Sequence, residues 1–336
     1  MKVLIIDNGF KVYKPFLIKS FEEDLNIELK IIYNFETLKK FSLIERIFYK
    51  LRFPLDISNF NSRILSISNK FKPNLILIIK GNYVFTSTIN KLKSNLDAKI
   101  VSWSADNMIK KHNTSFYFDK SISKYDIHFT TKSNVVETLK KIGARKVVFL
   151  NKAFSKYDHF PVEYDINYDF DVLFIGTAAR ERFITMKYLS ENGVKVNIFG
   201  NDWSNKYQGN KNLKIHRRPL IGEEYRKAIY SSKITLCFLR KINDDLQTDR
   251  SMEIPACKGL MFAERTHEHV NLFREDKEAI FFNSNEELLK KIKFYLANYD
   301  LAHNIRNNGY SRCIKSNYDF DNMKNIILEE TKKIKI

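Results

Sequence analysis

The stretch Asp249–Gly259, DRSMEIPACKG, decides how the chain is read. It follows an apolar, strand-like run, KITLCFL (Lys233–Leu239), and a polar loop, RKINDDLQT (240–248), and it leads into a second short strand, LMFA (260–263). Strand, polar loop, helix, strand is a parallel α/β crossover. The loop-to-helix junction of such a unit lies at the carboxyl edge of the sheet, where ligands bind. Glu253 is the one acid in the apolar helical start, suited to accept two charge-assisted hydrogen bonds from a vicinal diol such as a ribose. The helix N-terminus would offer free N–H groups to a phosphate. The plainer reading is a half-exposed glutamate on an amphipathic helix.

The same grammar extends in both directions. KVLII, ELKIIY, LILII, AKIVSW, YDIHFT and KVVFL alternate with helical stretches up to Leu150. Among the latter are a helical spacing of apolar residues over 35–50 and a helix over 61–71. Asp7-Asn8-Gly9 is expected to be a tight polar turn. From Asn151 to Asp169 the periodicity lapses, as in an interdomain connector. DVLFIG, KVNIFG, LKIH, KITLCFL, LMFA and EAIFF then repeat the alternation. Three helices close the chain, the last over Phe320–Lys332. The expected fold class is α/β, with two Rossmann-like, doubly wound domains facing across a cleft.

Bulk properties bound the function. At 336 residues, two domains of ordinary size are expected, and 44% apolar content supports real cores. The net charge of +18 is unevenly spread: residues 1–150 hold 26 Lys+Arg against 13 Asp+Glu, or +13, and the rest hold 31 against 26, or +5. Such an electropositive half suits membrane headgroups, an acidic or phosphorylated glycan, or nucleic acid. A lysine-rich codon bias would produce part of the same excess. Cys237, Cys257 and Cys313 are widely spaced with no C-x-x-C, as in reduced thiols of a cytosolic protein. The start MKVLIIDNG is too short for a signal peptide core, and no apolar run approaches the roughly 20 residues of a membrane span.

Absent motifs exclude several classes. There is no G-x-G-x-x-G for a dinucleotide, no P-loop and no G-x-S-x-G nucleophile elbow. His267-x-His269 lacks a third ligand for zinc. Asp244-Asp245 is not the D-x-D with which a metal-dependent sugar transferase bridges a diphosphate. Polar loops follow the strands at Asp7–Gly9, Lys80–Asn82, Ser104–Asn107, Gly176–Arg180 and Arg240–Arg250. In the second half, Gly176-Thr177 lets backbone approach a ligand, and Arg180, Arg182 and Arg250 are cations suited to a diphosphate.

These residues resemble the CgeB-like (spore maturation protein-like) glycosyltransferases, whose C-terminal half belongs to the group 1 glycosyltransferase superfamily. The likeness is carried by LIIKGN, VSWSADN, YDIHFTTKSNVVETLKKIGARKVVFL and NKAFSKYDHF. It continues through DVLFIG, IFG, KITLCFLRKINDDLQTDRSMEIPACKG, EAIFFNSNEELLKKIKFYLAN and NIRNNGYSRCIKSNY. It implies a GT-B fold, with an acceptor-binding domain over 1–155 and a nucleotide-sugar-binding domain over 170–316. A closing segment, 317–336, would turn back toward the first domain. Glu253 matches the second acid of the superfamily's Glu-x7-Glu pair, and Asp245 stands where the first glutamate is expected.

The expected donor-binding residues are Gly176, Thr177, Arg180, Arg182, Gly200, Arg240, Arg250, Ser251 and Glu253. Asp106 and Asp245 are the expected catalytic acids, and Gly9, Lys80, Asn82 and Asn107 the expected acceptor contacts. The resemblance implies a metal-independent, retaining glycosyltransferase with no cofactor beyond its co-substrate, a nucleotide diphosphate-sugar such as a UDP-sugar. Its acceptor would be a bacterial surface glycan, a lipid-linked precursor or a protein, with an anionic acceptor favoured by the charge. It would be cytoplasmic, peripheral on the inner membrane face, and without a nucleic-acid partner. Competing readings are a nucleotide-sugar epimerase of the same fold and an inactive binding protein that keeps the fold.

Overall fold

The buried apolar runs become strands, and among the described residues the strands pair with one another in parallel. The computed structural model describes residues 1–11 and 15–334; residues 12–14 of the expected first domain and 335–336 of the expected closing segment lie outside the described residues. The chain divides into two units, Met1–Asn151 with Phe320–Ile336, and Lys152–Asp319.

The first unit runs β1 (Lys2–Phe10), α1 (Phe16–Glu22), β2 (Glu28–Phe35), α2 (Leu43–Lys50), α3 (Phe60–Phe71), β3 (Leu75–Ile79), α4 (Thr86–Asn95), β4 (Lys99–Ser104), α5 (Phe116–Ser121), β5 (Ile127–Thr130), α6 (Val136–Lys141) and β6 (Val147–Phe149). Its sheet order is β2-β1-β3-β4-β5-β6. Leu4, Ile6, Ile76, Ile78 and Ile100 form its core with Phe60, Phe118 and Tyr125 from the covering helices and loops.

The second unit runs β7 (Val172–Ile175), α7 (Arg180–Glu191), β8 (Val196–Phe199), β9 (Leu213–Ile215), α8 (Gly222–Ser231), β10 (Ile234–Cys237), α9 (Arg250–Ala256), β11 (Met261–Glu264), α10 (His267–Leu272), β12 (Ile280–Phe282), α11 (Asn285–Ala297) and α12 (Tyr299–Lys315). Its order is β12-β11-β10-β7-β8-β9. Val172 and Phe174 join one core cluster while Leu173 and Ile175 join the other, so successive side chains of β7 are buried on opposite faces. That two-sided burial is why its strands read as unbroken apolar runs.

Three expectations change. Asp7–Gly9 is not a turn: β1 continues to Phe10, with a register shift between Asp7 and Phe10. Asn8 explains it, because its side chain donates to Ile79 O and accepts from Tyr83 N, tying the bulge to the end of β3. The helical spacing over 35–50 becomes a helix only over Leu43–Lys50, where Ser42 and Glu45 form a capping box; Phe35 instead ends β2, opposite Phe10. The stretch expected as a connector is built into the second unit. Phe154 is buried and bridges to Asp319, and Ser155 and His159 are buried too.

All three cysteines are free and buried. Among the described residues no helix is long and apolar enough to cross a membrane.

The closing helix α13 (Phe320–Lys332) packs on α1 in the first unit. Lys324, almost buried, pairs with Asp24, and Lys146 pairs with Glu330 at 2.6 Å. The Lys324 hydrogen bond outweighs burial and holds the Asp24 carboxyl below its ordinary value of 3.8. A carboxyl depressed on folding stabilises fully above its unfolded value and loses that stabilisation as pH falls through the folded one. Asp24→Asn should therefore lower unfolding stability by roughly 1–3 kcal/mol at pH 7. In urea titrations between pH 6 and 3, the gap to the parent should narrow as the solution is acidified; a gap independent of pH would count against the pair.

Candidate nucleotide-sugar site

In the second unit the strand order reverses between β7 and β10, so the exits of these neighbours lie at the topological switch point. β7 leaves through Gly176-Thr177 and β10 through Phe238-Leu239-Arg240. Arg182, reaching back from the first turn of α7, joins the two exits: its guanidinium donates to Thr177 O and to Leu239 O, each at 3.0 Å. Its Cζ lies over the Phe174 ring, 5.7 Å from the centroid. Burial first, then Arg250, with Arg240 adding and Glu181 offsetting part, lowers the Arg182 pKa. Three arginines therefore share one electrostatic neighbourhood. The Nε atoms of Arg182 and Arg250 are buried without a partner. An anion is the group that would lower the energy of such a cluster.

Gly176 and Gly200 are brought together by backbone. Gly176 N donates to Phe199 O, and Trp203 Nε1 donates to Gly176 O at 2.8 Å. A Cβ on Gly200, at φ +145, would stand 1.9 Å from Gly176 O. The loops after β7 and β8 thus touch main chain to main chain, an approach only glycine permits. α7 starts directly after this contact, and no side chain caps the N–H groups of its first turn.

Glu253 is more buried than a half-exposed helix acid, with 8% exposure. The phenol of Tyr225, on α8, donates to its Oε2 at 2.5 Å. Burial, and then the Glu253 carboxylate, push that phenol well above its ordinary pKa, so it remains a donor. His159 presents Nε2 3.7 Å from Oε1 of Glu253. Its Nδ1 accepts from Ser155 N, which puts the proton of the neutral ring on Nε2, facing the carboxylate. Lys152, also buried, pairs with Asp249 at 3.1 Å, while its amide donates to Gln247. The carboxylate is therefore held by residues from α8 and from the aperiodic 151–169 stretch. Sequence reasoning missed both Tyr225 and His159. The tyrosine lies in an ordinary helix opening, GEEY, and the histidine in a segment without period.

Other expected donor contacts are placed differently. Ser251 is fully buried and its hydroxyl is used internally: it accepts from Thr248 N and meets His269 Nε2 at 2.7 Å. His269 in turn places Nδ1 on Glu264 O, so it is a core histidine rather than half of a metal pair. The amides that follow Arg250 in the first turn of α9 are already used within the chain. Ser251 N bonds Thr248 O, and Met252 N and Glu253 N bond Asp249 O, because Asp249 is itself helical and continues the turn backward. Thr177, Arg180 and Arg240 are exposed. Asp245 is nearly buried, its Oδ1 accepting from Asn243 within its own loop. Among the described residues no group of three or more His, Cys, Asp or Glu is placed to hold a metal ion.

In the first unit the order reverses between β1 and β3. Lys80, just past β3 and at φ +63, pairs with Asp106 at 2.6 Å. Two residues expected to serve acceptor and catalysis thus meet. Asp7 lies on the neighbouring strand; burial raises its pKa, against the opposing pulls of the Gly9 amide and Lys80. A buried carboxyl at a switch point marks a candidate site residue that sequence alone did not single out. Gly9 donates its amide to Asp7. Asn82 donates to Asn113 O, and Asn107 accepts from Ile109 N, so both hold turns.

Comparisons with known proteins bear on the fold. Residues 180–328 match a family model described as glycosyl transferase-like. No curated protein sequence matches the chain. Among solved structures, sucrose-phosphate synthase from Thermosynechococcus elongatus superposes with a TM-score of 0.68 at 10% identity, over 98% of each chain. HepE of Anabaena, in complex with UDP, gives 0.68 at 9% identity, over 99% of this chain and 100% of that one. A glycosyltransferase from Rickettsia africae gives 0.68 at 14% identity, over 99% and 98%.

The Gly176–Gly200 contact makes a prediction. Gly200→Ala should cost about 1–3 kcal/mol from overpacking, beyond its backbone strain. Gly193→Ala, at φ +87 but with nothing within 4 Å of the new Cβ, should show strain alone. Thermal unfolding that shifts equally in both variants would refute the close approach. Fold and family match lead to one conclusion: the chain has the GT-B fold, and residues 180–328 within it form a glycosyl transferase-like domain.

Proposed function

We propose that the second unit binds a UDP-sugar and that the protein transfers the sugar, without a metal ion, to an anionic glycan or lipid-linked acceptor. The observation that carries this reading is the grouping of Arg182, Arg240 and Arg250 at the switch point of the same unit that fixes Glu253. Glu253 holds the ribose hydroxyls, oriented by Tyr225 and His159. Arg250 and the start of α7 take the diphosphate, and Arg182 acts by holding the two strand exits in place. The cationic groups stabilise the charge that grows on the leaving diphosphate, which is the task a divalent ion performs elsewhere. UDP is the favoured nucleotide because HepE, of like fold, is described in complex with it.

The first unit serves the acceptor. Lys80 and Asp106 form a charged pair able to orient a hydroxyl and an adjacent anionic group. In a retaining transfer the leaving phosphate oxygen takes the acceptor's proton, and Asp106 positions rather than deprotonates. The CgeB-like resemblance narrows the setting to bacterial surface-glycan assembly in the cytoplasm, at the inner membrane face.

Two measurements test this. Glu253→Gln should weaken UDP binding by roughly 1.5–3 kcal/mol, the worth of hydrogen bonds to a charged group. Calorimetry with UDP and UDP-glucose reads it, and equal affinity in parent and variant would overturn the ribose role. Transfer should also persist in excess chelator. Activity lost to chelator and restored by manganese or magnesium would refute the metal-free mechanism.

A further inference from the structure

Helix α2, with the turn that follows it, is inverted relative to ordinary surface helices. At helical spacing, Leu43, Ile44, Ile47, Phe48 and Leu51 fill one arc of about 140°, and Glu45, Arg46, Tyr49 and Lys50 fill the other. A surface helix normally buries its apolar arc. Here the opposite holds: Leu43 is 65% exposed, Ile44 61% and Leu51 60%, and none of the eight residues of α2 is buried. Of the residues of α2, Glu45 is the one turned toward the body. The Glu45 side chain is 15% exposed and pairs with Lys39 at 2.5 Å, and the Tyr49 ring lies 6.2 Å from that of Tyr83. Exposed Phe53 and Phe116, with ring centroids 4.7 Å apart, are further apolar surface beyond the helix end. Lys40, Arg46 and Lys50 are exposed beside the apolar arc, and Lys120 lies over the Phe116 ring.

We propose that this outward apolar arc docks the first unit on an anionic lipid bilayer, with α2 lying in the plane of the interface. Apolar side chains and flanking cations on one short helix are the two features such binding needs. The +13 carried by residues 1–150 acts in the same direction. A second copy is disfavoured as the occupant, because a two-fold contact would set two patches flanked by Lys40, Arg46 and Lys50, of like charge, against each other. The inference deepens the reading that the acceptor is presented at a membrane face, but does not depend on the donor site.

Cosedimentation of the full chain with vesicles tests it. Binding is expected to phosphatidylglycerol-containing vesicles at low salt and not to pure phosphatidylcholine. Replacing Lys40, Arg46 and Lys50 by alanine should weaken binding roughly a hundredfold, at about fivefold for each cation lost. Ile44→Ser with Ile47→Ser and Phe48→Ser should abolish it. These residues are exposed, so a thermal unfolding midpoint equal to the parent's will show both variants folded. Failure of the parent to bind anionic vesicles, or full binding by the serine variant, would overturn the proposal. So would a dimer in ultracentrifugation that the serine variant dissolves.

Discussion

Two backbone carbonyls hold the candidate donor site in shape: Thr177 O and Leu239 O, both bonded by the buried guanidinium of Arg182. Parallel strands at a switch point diverge into different loops, and nothing in the ladder itself joins those loops. Arg182 does so with a rigid, planar donor that keeps its charge when buried. Because its bonds go to carbonyls rather than carboxylates, its positive charge is left for whatever enters beside it. Arg240 and Arg250 add to the same field. A structural bond and a binding potential thus come from one side chain.

Glu253 depends on a similar economy of parts. A carboxylate this buried needs donors, and it finds them on α8 and in the 151–169 segment. Tyr225 remains protonated because it is buried beside that carboxylate. One acid is thereby oriented by elements far apart in sequence, while the glycine pair Gly176 and Gly200 sets how closely the neighbouring loops approach. The first unit repeats the principle with different chemistry. A lysine in the left-handed region pairs with Asp106, and a buried Asp7 carboxyl lies on the adjacent strand. Helix α2 stands apart from both sites, because its apolar side faces outward and its acid faces in.

The twelve strands among the described residues were legible in the sequence because a strand buried on both faces must be apolar throughout, and runs such as LILII and VLFI permit little else. The same reading named Gly176, Arg182, Arg250 and Glu253, since polar residues just beyond such strands lie at the sheet's ligand edge. It did not foresee that the Ser251 hydroxyl and the Ser251 and Met252 amides are already bonded within the chain. Composition cannot reveal that a serine hydroxyl is already bonded to Thr248 and His269, or that Asp249 continues the helix backward.

The sequence by itself determined the alternation of strands and helices, two Rossmann-like halves, and the polar strand exits, because these follow from local periodicity and burial. Only the tertiary structure decided which side chains meet. His159 reaches Glu253 from a stretch with no periodicity, Arg182 turns inward to carbonyls 5 and 57 residues away, and α2 shows its apolar arc to solvent. Each depends on long-range packing, where the partner's position is set by the fold of other segments and leaves no trace in the local pattern.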